Sequence, residues 1–99
     1  MSLYVALNGN ITVVPVLPWV PGPIIYTNGS YVKVDGTNVI TKAECTFTHV
    51  SLSPIKLTLN GSSSSLLDNS TSIIRLGDVA TGTPGTITAL PTQIKLKTS

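Results

Sequence analysis

The chain has 99 residues, enough for one domain with a modest core. Only 10% of residues are charged against 41% hydrophobic, a balance that excludes a disordered chain. The net charge of +2 comes from scattered Lys and Arg residues, which form no converging basic surface for a nucleic acid.

In chain order the predicted elements are all strands. Leu3, Val5 and Leu7 alternate with Tyr4 and Ala6 and run into Asn8-Gly9. Ile11, Val13 and Pro15 alternate next. Residues 14–23 are proline-rich, with Trp19 at their centre. Proline cannot donate to a β ladder, so this segment is predicted to be extended and edge-like. Trp19 then covers one end of the core; the sharper reading makes it a partner-binding anchor. The same prolines exclude a membrane helix there. The first residues lack the basic start and long apolar run of a signal peptide.

Residues 31–34 precede Asp35-Gly36, and a long β run follows over residues 39–50. Ile55, Leu57 and Leu59 alternate before Asn60-Gly61, and residues 62–65 form a polar serine loop. Ile73-Ile74, residues 86–90 and residues 93–97 complete the strands. Each Asn-Gly or Asp-Gly pair predicts a tight turn, because both residue types tolerate positive φ. No window has a helical period, so the sequence reads as a single all-β domain over residues 1–99.

Four stretches echo one another: residues 2–9, 22–29, 53–61 and 90–97. They predict a small, compact, repeat-built β domain. The alternative is a small β-sandwich or barrel, since any β-rich sequence with Asn-Gly turns shows such echoes. Between the last two copies, Arg75-Leu76-Gly77-Asp78 reads as a structural turn. Gly77 is expected to take a positive φ. Asp78 pairs with Arg75 or accepts backbone N–H groups.

Little chemistry is on offer. One histidine, four dispersed carboxylates and one cysteine make few acid–base pairs, so no enzyme is expected. Cys45 excludes an internal disulfide and reads as a buried thiol. Cys45 and His49 are the candidate metal ligands. Four residues apart, they lie ~13 Å from each other on a straight strand and could share an ion only if the chain turns between them. Structural zinc takes four protein ligands, so a metal-free protein is favoured. Zinc or iron would need carboxylates, water or neighbouring copies.

The order Ile73-Ile74-Arg75-Leu76-Gly77-Asp78, then Gly85-Thr86-Ile87-Thr88 and Pro91-Thr92-Gln93-Ile94, resembles the PAAR-repeat proteins. These are the spike-tip proteins of contractile phage tails and related injection systems. The resemblance extends over residues 23–96, and Ser72-Ile73-Ile74-Arg75 stands where the family has Pro-Ala-Ala-Arg. It implies a conical β domain and a non-enzymatic, membrane-puncturing tip that caps a trimeric spike or hub protein. Such a tip is assembled in the bacterial cytoplasm, belongs to the virion tail or injection particle, and meets the target membrane only transiently. The family's tips bind zinc through several His and a Cys, of which this sequence offers Cys45 and His49. A phage capsid decoration or tail-tube protein, packed against neighbouring copies, is the alternative.

Overall fold

The computed structural model describes residues 2–99. Its strands in chain order are β1 (Leu3–Tyr4), β2 (Ile11–Pro15), β3 (Val20–Val34), β4 (Thr37–Thr48), β5 (Ile55–Asn60), β6 (Leu67–Asp68), β7 (Thr71–Ser72), β8 (Val79–Gly82), β9 (Gly85–Ala89) and β10 (Lys97–Thr98). The domain is all-β, and every pairing is antiparallel. Two three-stranded sheets, β3-β4-β5 and β2-β9-β8, carry the fold. Two-stranded pairs, β1-β10 and β6-β7, are added to them.

The main core lies between the two larger sheets. Ala43, Cys45, Phe47 and Leu59 of one sheet meet Ile11, Ile87 and Ala89 of the other. Phe47 is fully buried and reaches Gly85, where a Cβ would sit 3.3 Å from its ring. Side chains alternate across a strand, so Ala43, Cys45 and Phe47 share one face of β4. The other face carries Glu44, bonded to Lys42 at 3.2 Å and Lys56 at 2.9 Å. Beside Lys56, and then Lys42, the Glu44 carboxyl is held below its usual range.

The alternation changes phase at Thr41. Thr27 pairs with Lys42, but Asn28 pairs with Ile40, leaving Thr41 as an extra residue. A bulge of this kind turns the following side chains over. Ile40 therefore joins the main core, while Val39 enters a second cluster with Val5, Val34 and Ile73.

The β3–β4 hairpin sets the length of the molecule. Twelve residues of β4 span ~40 Å at ~3.3 Å each, close to the longest extent of 43 Å. The hairpin closes at Asp35-Gly36, with φ of 51° and 82°, as the Asp-Gly pair predicts. Asn8-Gly9 also forms its expected turn: Gly9 has φ 90°, and the Asn10 N–H donates to Leu7 O. The other two Asn-Gly pairs are not tight turns. Asn28-Gly29 runs inside β3, and Asn60-Gly61 carries β5 beneath β7. There glycine serves close approach: a Cβ on Gly61 would collide with Ser72 O, and one on Gly29 with the Asp68 carboxylate.

The four echoing stretches take four different settings: the short β1 and its turn, the middle of β3, the whole of β5, and an irregular C-terminal segment. The strand expected over residues 93–97 is absent except at Lys97. Gln93 replaces the ladder. Its Oε1 accepts the N–H groups of Lys95 and Leu96, and its Nε2 donates to Val5 O and Leu96 O. Ile73-Ile74 also lies outside a strand but is fully buried, with Ile74 N–H donating to Ile40 O and Ala6 N–H to Ile74 O.

Arg75-Leu76-Gly77-Asp78 is a turn closed by the Asp78 N–H on Arg75 O at 3.1 Å, and Gly77 has φ 86°. That positive φ at the third position is what a type II turn demands. Gly77→Ala should cost about 1 kcal/mol and the β-branched Gly77→Val more, although a Cβ there meets nothing within 4 Å. Denaturant unfolding checks this; an unchanged midpoint for Gly77→Val would contradict the turn.

Candidate docking surface at the apolar end

The end of the molecule opposite Asp35 is made from parts of three charge-free runs. Residues 11–32, 45–55 and 79–94 contain no Asp, Glu, Lys or Arg. After β2 the backbone turns over residues 16–19, with the Trp19 N–H donating to Val16 O and the Val16 N–H to Pro84 O, both at 2.9 Å. The prolines thus allow one extended strand end and then a turn, so the expected extended segment is interrupted at Leu17-Pro18. After β4, His49 Nδ1 accepts the N–H groups of Ser51 at 3.0 Å and Leu52 at 3.2 Å, which fixes the β4–β5 loop. The Trp19 and His49 rings meet edge-on with centroids 4.8 Å apart and join these two loops.

The loops leave large side chains in water. Leu17 is 85% exposed and Val50 94%, and Val14, Val16, Val20 and Leu52 are each more than half exposed. Single exposed aliphatics are ordinary, but a cluster at one end without a charge among them makes that end a candidate interaction surface.

The residues singled out by sequence fall elsewhere or play other parts. Trp19 is only 5% exposed and belongs to the main core, so it closes the apolar end rather than being presented on it. Cys45 is buried between Ile24 and Leu57 on the neighbouring strands, and burial pushes its thiol up. His49 sits past the end of β4, engaged by Trp19, Ser51 and Leu52. β4 stays extended from Cys45 to Thr48, so no turn brings Cys45 and His49 together, and four extended residues separate them by ~13 Å. Among the described residues, no three His, Cys, Asp or Glu side chains are grouped to hold a metal.

Arg75 and Asp78 do not pair directly. Asp78 accepts the Arg75 N–H at 2.9 Å and the Ser62 hydroxyl at 2.6 Å. Arg75 Nε donates to the same Ser62 oxygen at 3.0 Å, and its Nη1 to Thr98 O at 3.4 Å. Ser62 therefore relays one side chain to the other, and Arg75 ties the turn to the C-terminal strand.

Asp68 is the polar residue that sequence reasoning passed over. It is 2% exposed, yet its carboxylate accepts the N–H groups of Ser30, Tyr31 and Val32 at 3.0, 3.1 and 2.8 Å. Burial pushes the Asp68 carboxyl up, but the three N–H groups outweigh it and hold it below its usual range. A polar cleft of about 190 Å³ opens beside it, between Asn28, Thr41, Asn69 and Thr71. Nothing in the local sequence marks this aspartate, because its partners lie more than thirty residues away.

No family model, curated protein or solved structure matches this sequence.

Leu17→Asp and Val50→Asp should each change stability by less than about 0.5 kcal/mol, since neither side chain packs in the fold; thermal unfolding checks it. Asp68→Asn should cost about 2 kcal/mol by weakening charge-assisted bonds to three partly buried backbone amides. The native Asp68 carboxyl titrates below its unfolded value of 3.8. Its contribution is therefore complete above about pH 4 and is lost as pH falls through the lower native value. Denaturation followed from about pH 6 to about pH 2 should show a shallower acid loss in Asp68→Asn than in the native protein.

Proposed function

We propose that this protein is a non-enzymatic structural tip that seats by its apolar end on the central spike of a contractile tail or related injection system. The observation that carries the docking reading is the charge-free apolar end of a molecule 43 Å long, whose other end carries the Asp35–Lys95 ion pair. Lys95 meets Asp35 there at 2.8 Å. The identity of the assembly rests on the resemblance of residues 73–96 to spike-tip proteins.

The dimensions set the form of the attachment. The two short extents are 23 and 21 Å, so the end face is smaller than the ~800 Å² that each partner contributes to a standard interface. Flat abutment gives a weak complex, and a lasting one needs a socket that wraps the sides. A cup formed where three spike subunits meet has that shape. The polar groups around the resembling segment support a structural role, since Arg75, Ser62 and Asp78 are spent on holding the turn.

Stoichiometry tests the proposal. Quantitative mass spectrometry of purified particles should find one copy of the protein per spike trimer. Copy numbers in the hundreds would replace the tip by a decoration or tube protein. In the same particles, Leu17→Asp combined with Val50→Asp should abolish incorporation while the free variant stays folded.

A further inference from the structure

Three identical dipeptides meet three different fates in this fold. Asn8-Gly9, Asn28-Gly29 and Asn60-Gly61 each place an asparagine before a residue with no side chain to shield its backbone nitrogen. In such a pair the glycine nitrogen attacks the amide carbon, Cγ, of the asparagine. The new N–Cγ bond forms as the bond from Cγ to the amide nitrogen Nδ2 breaks. Ammonia leaves, taking up the glycine N–H proton, and a cyclic imide remains. Water opens the imide at either carbonyl and leaves aspartate or isoaspartate. Water is the only co-reactant, and this chemistry makes asparagine thermolabile.

The reaction needs the asparagine to rotate and the glycine nitrogen to leave its partners. Gly61 cannot do so in place: its N–H donates to Thr41 O at 3.0 Å, and its α-carbon is pressed against Ser72 O. Gly29 lies against the Asp68 carboxylate, and its carbonyl accepts the Asn38 amide. Asn28 itself donates to Asn8 Oδ1 at 2.7 Å and to Asn38 O at 3.3 Å. For these two pairs the fold must first open locally, which adds a free-energy cost to the reaction.

Asn8-Gly9 is different. Both residues are exposed, and nothing lies within 4 Å of the position a Gly9 Cβ would take. Among the described residues, two side chains, both from β3, restrain the pair. The Tyr26 hydroxyl accepts the Gly9 N–H at 3.0 Å, and the Asn28 amide holds the Asn8 side-chain oxygen. We propose that Asn8 is a site of spontaneous deamidation in the folded protein, and that Tyr26 slows it by holding the attacking nitrogen. The product retains an oxygen acceptor for Asn28. It adds one negative charge, which takes the net charge from +2 to +1. This site is independent of the docking reading.

The purified protein is incubated at mildly alkaline pH, then resolved by ion exchange and mapped by peptide mass spectrometry. Position 8 should convert at least about tenfold faster than positions 28 and 60, a barrier difference of ~1.4 kcal/mol. In denaturant the three rates should converge. Equal rates in the folded protein, or an undiminished preference in denaturant, would overturn the proposal. Tyr26→Phe should accelerate position 8 alone. No acceleration there, or equal acceleration at all three positions as in a loosened fold, would overturn the role of Tyr26.

Discussion

The Asp68 carboxylate resolves the widest of the gaps in the pairing of the central hairpin. Between the Asn28–Ile40 and Lys33–Asn38 pairs, β3 advances five residues while β4 advances two. The surplus residues of β3 lose their ladder, and their N–H groups would be unsatisfied in a partly buried setting. An unpaired buried donor costs more than a made bond returns. Asp68 collects three of these donors on one carboxylate, and the Asn38 side chain meets the Gly29 carbonyl. The bonds are charge-assisted, which is why a buried carboxylate stays ionised here despite the cost of burial.

That clasp fixes the rest of the lower half. It anchors the β6–β7 pair to β3, and β7 leads directly into Ile73 and Ile74. Those two isoleucines diverge, Ile73 into the small cluster and Ile74 into the main core. The bulge at Thr41 divides Val39 and Ile40 in the same way. The two clusters are thus joined by two neighbouring pairs of residues, each contributing one side chain to either side. Above the bulge, β4 returns to strict alternation, and one inward face serves both large sheets.

This division explains what the sequence could disclose. Strict alternation over residues 43–47 and 55–59, and the local chemistry of Asp35-Gly36 and Gly77, were legible because neighbours in sequence decide them. Asn28-Gly29 and Asn60-Gly61 were not, since the same dipeptide serves a turn when free and a close approach when crowded, and the crowding atoms come from Asp68 and Ser72. The loss of the strand over residues 93–97 has a similar cause: one glutamine side chain satisfies backbone groups before and after it, and its reach to Val5 is not a periodic signal. The apolar end was half legible. Its freedom from charge is plain in the sequence, but the burial of Trp19 and the exposure of Leu17 depend on the turn between them.

The exposed end and the buried clasp stand in a simple energetic relation. Side chains such as Leu17 and Val50 are almost as exposed in the native protein as in an unfolded one, so the fold gains little from them. Whatever they contribute on meeting a partner is therefore additional to folding and does not weaken it. The charges, by contrast, are mostly engaged within the domain: Glu44 by two lysines, Asp35 by Lys95, Asp68 by amides, and Asp78 by Ser62 and a backbone N–H. With so few charges left to repel other copies, an unattached domain has weak colloidal protection. The end that gains least from folding is also the one that gains most from being covered.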